Sequence, residues 1–263
     1  GTSLVTKSLE VLGAELGDRL MPAADANNAK GFFEDLDINA FNIELLNALN
    51  SKWHFVEPLF EDDLEALFNN GYVDKAVELV QSKIENFDLF AFKDPRMSKL
   101  LPFWIAVFNK CEINVKYIIV IRHPSSVVKS LIKRDGLDYN KCYLLWLSHM
   151  IPSLYFSDFR QRVIVDYDYF LQNAEKELNR IGGILKFEVS PNKLTLFLSE
   201  FIDQSLRHEV STREELLCDL GCPPLVKEVY LTLIDEIISE KKHELKANAF
   251  NLIVFKAADF SYE

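Results

Sequence analysis

Hydrophobic positions along the chain recur mostly every three or four residues, the spacing of an amphipathic helix. Such stripes cover ten segments: residues 4–16, 37–50, 58–68, 72–84, 124–133, 139–156, 169–185, 194–206, 213–220 and 224–245. Gly17 follows the first stripe, so we expect the first helix to stop there. The pattern therefore predicts helix over most of the chain.

Three short apolar runs have the composition of buried strands instead. They lie at residues 89–92, 115–121 and 163–165, and β-branched residues dominate the last two. Polar residues follow the runs. Strands that alternate with helices predict an α/β fold with a doubly wound parallel sheet, in which ligands bind beyond the carboxyl ends of the strands.

The organisation of the 263-residue chain predicts a single domain over residues 1–263, since no linker or internal repeat divides it. A helical insertion covers about residues 37–87, and a helical C-terminal part covers about 194–246. A strand is expected before the first helix, and the printed sequence starts after that position. Either the sequence is truncated at its start, or another part of the chain takes the place of that strand.

Composition excludes several classes of protein. The longest apolar stretch, residues 100–108, is half of what a membrane-spanning helix needs. The formal charge of −11 opposes binding to nucleic acid, so an anionic ligand requires a local basic pocket. Four cysteines without a CxxC pair indicate a reducing, cytoplasmic compartment and predict no metal site.

Two groups of residues suit phosphate binding. Gly1-Thr2-Ser3 opens a helix, where backbone amides and hydroxyls cradle an anion, although an ordinary helix cap explains the same residues. Arg122 ends a predicted strand and Ser130 lies two turns into the next helix, so a phosphate lodged there would contact both. A surface ion pair and a solvated serine are equally good explanations.

Several motifs together resemble the sulfotransferases that use 3′-phosphoadenosine 5′-phosphosulfate (PAPS), and in particular their bacterial branch. The resemblance runs from residue 1 to about 210. The motifs are Gly1-Thr2-Ser3-Leu4-Val5, Gly31-Phe32-Phe33-Glu34, Phe92-Lys93-Asp94-Pro95-Arg96, Arg122-His123-Pro124 with Ser130, Arg134-Asp135-Gly136, Leu144-Leu145-Trp146 and Val165-Asp166-Tyr167. This resemblance implies a three-layer sandwich with a central, mainly parallel sheet, similar to P-loop NTPases.

The resemblance also implies which residues bind the donor. Gly1, Thr2 and Ser3 would hold its 5′-phosphate end, and Arg122 with Ser130 would hold its 3′-phosphate. Arg207, in a late Arg207-His208 pair, is the nearest candidate for a further contact to the 3′-phosphate, and a solvated helix end explains that pair as well.

Transfer of a sulfonate needs an in-line acceptor that loses a proton, and the family's pattern demands no metal. Glu34 is the first candidate for the general base, and His54 is the second. A solvated glutamate in an acidic stretch is the alternative for Glu34. Lys93 and Arg96 are candidate contacts to the sulfonate or an anionic acceptor, while Asp94 is expected to cap a helix that starts near Met97.

The expected reaction is transfer of a sulfonate group from PAPS to a hydroxyl or amine of a small-molecule, glycan or lipid acceptor, with neutral acceptors favoured by the acidic surface. The family's first motif begins with a basic residue that this sequence lacks, so the activity of this chain stays open. A noncatalytic nucleotide- or partner-binding domain is the alternative. A P-loop kinase fits less well, because a threonine occupies the second glycine position of a Gly1 to Thr6-Lys7-Ser8 pattern.

Overall fold

Two short parallel strands lie among twelve helices in a computed structural model that describes residues 2–23, 31–202 and 211–241. The strands are β1 (Tyr117–Ile121) and β2 (Arg162–Asp166). The helices are α1 (Thr2–Ser8), α2 (Leu36–Ala48), α3 (Glu61–Asn69), α4 (Tyr72–Ile84), α5 (Met97–Lys110), α6 (Pro124–Asp135), α7 (Tyr139–Phe156), α8 (Tyr167–Gln172), α9 (Ala174–Leu185), α10 (Pro191–Glu200), α11 (Arg213–Cys218) and α12 (Pro224–Lys241), with a 3₁₀ turn over Leu9–Leu12. The α/β class is confirmed, and the described part is mostly helical.

The sheet follows the alternation that a strand imposes on its side chains. Ile118 pairs with Val163 and Ile121 pairs with Asp166 in the parallel register. Ile119, Ile121 and Ile164 pack with α7 and α12, whereas Val163 and Val165 pack with α1, α9 and α10. Each face of the two-stranded sheet is therefore covered by helices.

The predicted helices match the structure best where a cap or turn defines their ends. Helices α4 and α7 have the predicted bounds, and the Asp138 carboxylate accepts the Lys141 amide at the start of α7. The helix predicted over residues 169–185 divides into α8 and α9 at Asn173, whose φ of −134° leaves the helical region. The first helix ends earlier than expected, because the chain turns at Gly13 with φ 85°.

The strand predicted over residues 89–92 is wrong. Only an isolated parallel bridge between Glu15 and Phe90 forms there. The Leu89 carbonyl accepts the Glu15 amide at 2.9 Å, and the Ala91 amide donates to the Glu15 carbonyl at 2.8 Å. Nothing in the described chain pairs with the opposite edge, so the apolar run lacks the second partner that would extend the pairing.

A separate hydrophobic cluster holds the helical insertion, which contains α2, α3 and α4, against α5. Trp104 and Phe103 of α5 are fully buried there, and Leu45 of α2 and Ala76 of α4 pack with them. No helix in the described ranges is both long enough and apolar enough to cross a membrane.

Candidate functional site

Arg122 lies at the carboxyl end of β1, where the chain leaves the sheet and Pro124 begins α6. The Trp146 indole donates to the Arg122 carbonyl at 3.2 Å, which fixes the backbone. The guanidinium carbon lies 5.2 Å from the centre of the Tyr167 ring, within cation–π range. Burial raises the pKa of Tyr167, and the neighbouring Arg122 charge acts in the opposite direction.

The guanidinium of Arg122 has no hydrogen bond or ion pair with any described residue, and its buried Nε atom has no partner. A half-buried cation without a carboxylate is unusual, because buried charges are normally paired. Arginine also presents a planar fork of donors that matches phosphate and sulfate oxygens. Among the described residues, this guanidinium at the end of β1 therefore has the features of a candidate contact for an anion.

His123, next to Arg122, is buried. The ring is only 2% exposed, packs edge-on against Tyr230, and has Nε2 3.1 Å from the Thr212 carbonyl. Burial lowers the pKa of His123 below its usual value, although that carbonyl and the nearby Asp168 act to raise it. The histidine thus links the end of β1 to the residue before α11.

The structure describes three of the other five predicted donor-binding residues. Ser130 lies two turns along α6, exposed, and its hydroxyl has no hydrogen bond to the described residues. Thr2 and Ser3 form the start of α1, which packs against α8, the helix that follows β2. Gly1 and Arg207 lie outside the described residues.

Glu34 is buried directly after two residues with unusual backbone conformations. Gly31 has φ 102° and Phe33 has φ 52°, so both have positive φ values, which glycine adopts readily and phenylalanine rarely does. The Glu34 carboxylate is 6% exposed, and it accepts hydrogen bonds from Lys93 Nζ at 2.6 Å and from Asn39 Nδ2 at 3.1 Å. The structure thus brings two predicted site residues, Glu34 and Lys93, into one ion pair.

Asp94 extends this ion pair into a network. One oxygen of its buried carboxylate accepts the Arg96 amide at 2.8 Å and the Arg96 guanidinium at 2.9 Å. The other oxygen accepts the amides of Asn39 at 3.3 Å and Asn42 at 3.1 Å. We call Glu34, Lys93, Asp94, Arg96, Asn39 and Asn42 the carboxylate cluster.

The carboxylate cluster changes the interpretation of Lys93 and Arg96. Each cation already has a carboxylate partner, so neither is a free contact for an anionic group. Helix α5 starts at Met97, as expected, and Asp94 accepts the amide just before it. The Asp94 carboxylate thus makes structural contacts, but the N-cap residue of α5 is Arg96, which has no side-chain cap hydrogen bond, so Asp94 is not the N-cap that we expected.

His54 lies apart from this cluster, in the segment that follows α2. Its ring packs edge-on against Trp53 and Phe55 at 5.3 Å from each, and it has no hydrogen bond to the described residues. Burial and the nearby cations Lys141 and Lys52 lower the pKa of His54. No hydrogen bond joins the two candidate bases, Glu34 and His54.

Sequence reasoning missed Asn39 and Asn42. Both are buried on α2, and the Asn42 side-chain carbonyl accepts the Trp104 indole at 2.8 Å. A signal was present, because two amides three residues apart sit within the apolar stripe of a predicted helix. Such amides on a buried face indicate a polar network.

The described residues contain no group of three or more histidine, cysteine or acidic side chains placed to hold a metal ion, and all four cysteines are free thiols. No protein-family model, curated protein or solved structure matches this chain. Function is therefore inferred from the chain's own residues.

Proposed function

We propose that this chain is a sulfotransferase that moves a sulfonate group from PAPS to a hydroxyl or amine of an acceptor. The observation that carries the proposal is the Arg122 guanidinium, which lies at the carboxyl end of a parallel strand and has no acidic partner among the described residues. That edge of a parallel sheet is where α/β proteins bind ligands. The sequence motifs around Arg122 supply the identity of the ligand.

In the proposed complex Arg122 binds the 3′-phosphate of the donor through its forked donors, and Tyr167 holds the guanidinium plane in place. Ser130, exposed on the helix that starts beside Arg122, adds a hydroxyl donor. Thr2 and Ser3 receive the 5′ end of the donor. PAPS itself supplies the sulfonate group.

Glu34 accepts the proton of the acceptor in this proposal. The structure shows its carboxylate bound to Lys93, so Lys93 must turn away before Glu34 can act as a base. A sulfonate near Lys93 would compete for that ammonium and leave Glu34 free to take the proton. Lys93 therefore couples donor binding to activation of the acceptor.

The compartment, the class of acceptor and the complete fold belong to the same proposal. We place the reaction in the cytoplasm, with a small-molecule, glycan or lipid acceptor, and four free thiols agree with a reducing compartment. A three-layer, P-loop-like sandwich is the proposed complete fold. Helices on both faces of the β1–β2 sheet support it.

A noncatalytic nucleotide-binding domain is the second candidate, and the carboxylate cluster favours it. Glu34 is buried and has both carboxylate oxygens engaged, as a purely structural residue would. This candidate keeps the Arg122 anion site but predicts binding without turnover.

The kinase alternative is weakened by Lys7. Its ammonium pairs with Glu10 at 2.6 Å and lies over the rings of Phe33 and Phe201, so it is not presented to a phosphate. The hydroxyls of Thr6 and Ser8 donate to carbonyls of α1 itself. These three residues therefore serve the helix and its packing.

Calorimetric titration of adenosine 3′,5′-bisphosphate without metal tests the proposal. We expect Arg122→Ala to weaken binding by about 2 kcal/mol, roughly thirtyfold in Kd, because a charge-assisted contact is lost. Arg134→Ala is the matched control. Arg134 also lies over an aromatic ring, that of Trp53, but it is paired with Asp135 at 2.7 Å.

The proposed donor would be contradicted if both substitutions weakened binding of the bisphosphate equally. Tighter binding of magnesium ATP than of the bisphosphate would also contradict it. Binding that depends on Arg122, followed by transfer of labelled sulfonate from PAPS to any acceptor, supports the sulfotransferase. Binding without transfer supports the noncatalytic candidate.

A further inference from the structure

A cavity of about 700 Å³ lies beside the edge of β1 that faces away from β2. Residues 113–120 line one side of it, and residues 87–95 line the other. Most of the side chains that line it are apolar. We call this cavity the strand groove.

Helices cover the strand groove on two sides. Val5 of α1 lines it and packs in one cluster with Ile118 and Val120. Met150 of α7 lines it and packs in another cluster with Ile119. Successive side chains of a strand point to opposite faces of the sheet, so α1 and α7 lie on opposite faces of β1. A strand placed in the groove would therefore meet apolar helix side chains on both faces.

The β1 side of the strand groove carries unpaired backbone groups. Tyr117 donates its amide to the Gln161 carbonyl at 3.0 Å, so in the parallel ladder alternate residues from Tyr117 to Ile121 bond to β2. The amides and carbonyls of Ile118 and Val120 therefore point to the other edge. In the described part of the chain, no strand pairs with that edge.

The segment across the groove is open in the same way. The bridge with Glu15 uses the Leu89 carbonyl and the Ala91 amide, which leaves the amide and carbonyl of Phe90 directed away from Glu15. Phe90 lines the strand groove. Two segments therefore border one groove, and each has backbone donors and acceptors that its own pairing does not use.

The apolar side chains on both sides of the groove are incompletely buried. Ile118 and Val120 on one side, and Phe90 and Phe92 on the other, are each half-buried. Inner strands of a parallel sheet are normally buried on both faces. The groove is thus reached by solvent, and a further strand in it would complete the burial of both sides.

The lysines that line the groove are Lys83, Lys93 and Lys116. The first two pair with the buried carboxylates of Asp35 and Glu34, at 2.7 Å and 2.6 Å. The third donates to a backbone carbonyl and lies over an aromatic ring. An anionic occupant would therefore find each of these three cations already engaged, so the groove favours an uncharged one.

These features select the class of occupant. An apolar small molecule would fill the groove but would leave the backbone amides and carbonyls of both edges unsatisfied, which is costly away from water. An extended peptide satisfies both edges at once and buries its alternate side chains against α1 and α7. Because main-chain pairing does not depend on side-chain identity, an extended apolar segment is sufficient for recognition.

We propose that the strand groove binds an extended, apolar segment of another polypeptide as an additional β-strand between β1 and residues 89–92. The sheet then extends from β2 through β1 and the added strand to Phe90. This inference does not depend on the proposed sulfotransferase activity.

Hydrogen exchange of the full chain with a probe peptide tests the proposal. The probe is the acetylated and amidated peptide Lys-Val-Ile-Val-Ile-Val-Lys, whose apolar run matches the five-residue length of β1. Its addition should slow exchange of the Ile118, Val120 and Phe90 amides by about tenfold or more, since they gain partners. Amides of α11, which contributes no residue to the groove, should exchange at unchanged rates.

Two matched peptides separate backbone pairing from apolar contact. N-methylation of alternate residues keeps the side chains and charge of the probe but removes the amide donors along one edge, so this peptide should not slow exchange. Replacement of the central valine by aspartate should weaken binding about tenfold or more, because a carboxylate is buried without a free cation. Equal slowing by the N-methylated peptide, or no slowing by the probe itself, overturns the proposal.

Two other occupants give distinct results. If the Ile118, Val120 and Phe90 amides exchange slowly in dilute chain without peptide, and the probe changes nothing, another part of the same chain fills the groove. If their protection rises with the concentration of the chain alone, a second copy fills it. Either result overturns binding of a separate polypeptide.

Discussion

Two groups of charged side chains differ in whether each charge lies beside one of opposite sign. In the carboxylate cluster, each of the two acids and two bases has an opposite charge beside it, and two asparagines complete the network. At the end of β1, the one contact that the described residues give the Arg122 guanidinium is with the face of the Tyr167 ring. The first group is satisfied by the fold alone, whereas the second is not.

The difference indicates which group needs a ligand. A satisfied network positions backbone, and here it ties the turn at Glu34 to α2 and to the start of α5. Burial of a cation without a partner costs free energy that an anion would offset, so Arg122 is the better candidate for ligand binding. Three substitutions in these two groups and one at His123, beside Arg122, would break or sharpen this distinction. They follow from the largest expected effect to the smallest.

Asp94→Ala should destabilise the protein most, by about 3 kcal/mol or more, because Arg96 and two buried amides lose their acceptor. Denaturant unfolding gives the free energy. Asp74→Ala removes a carboxylate from an exposed pair with Lys110 and should change stability by less than about 1 kcal/mol. Similar losses of unfolding free energy in both variants would show that the carboxylate cluster stabilises the protein no more than an exposed ion pair does.

Glu34→Gln should cost about 2 kcal/mol of stability, since Lys93 keeps a hydrogen-bond acceptor but loses its charged partner. Turnover should fall while the Kd of adenosine 3′,5′-bisphosphate stays constant. Glu44→Gln, in an exposed pair with Lys75, is the control for stability. Normal turnover of Glu34→Gln would exclude Glu34 as the base.

His123 should make stability depend on pH. Its pKa is lowered in the folded state, so the unfolded chain binds the proton more readily and stability falls as pH drops below about 6.5. The contribution is at most about 1.4 kcal/mol for each pH unit. Urea unfolding at pH 7 and pH 5.5 should show a smaller loss for His123→Gln than for the parent chain, and the same loss in both would refute the assignment.

Arg122→Ala should change the free energy of unfolding least, by less than about 0.5 kcal/mol. Of the four substitutions, it should weaken binding of the bisphosphate most. The guanidinium forms no hydrogen bond that the fold needs, and its Nε is already unsatisfied. Thermal unfolding without ligand checks this expectation. A loss as large as that of Asp94→Ala would make Arg122 a structural residue and remove the contrast.

Sequence reasoning succeeded where local chemistry decides the structure. Helix α7 has an aspartate cap and a long apolar stripe, and α6 starts at a proline. The sequence-based prediction failed at residues 89–92. An apolar run favours a strand, but a strand also needs a pairing partner from elsewhere in the chain. A strand needs neighbours that no local pattern contains.

The site shows the same limit. Arg122 was identified from its position after a β-branched run, and the described residues give its Nε no hydrogen-bond partner. Glu34 and Lys93 were identified as separate residues with separate roles, yet they form one ion pair across 59 positions of sequence. Tertiary contact decides whether a charge is free or satisfied, and residue type alone does not reveal it.

The indoles provide an optical consequence of this arrangement. Trp104 donates to Asn42 of the carboxylate cluster, and Trp146 donates to the carbonyl of Arg122. Each of the two charged groups therefore carries its own fluorophore, and the third, Trp53, lies under Arg134. Chains that retain a single tryptophan would separate the emission of the two regions, so ligand binding at one and loosening of the other would each change the fluorescence of a different variant.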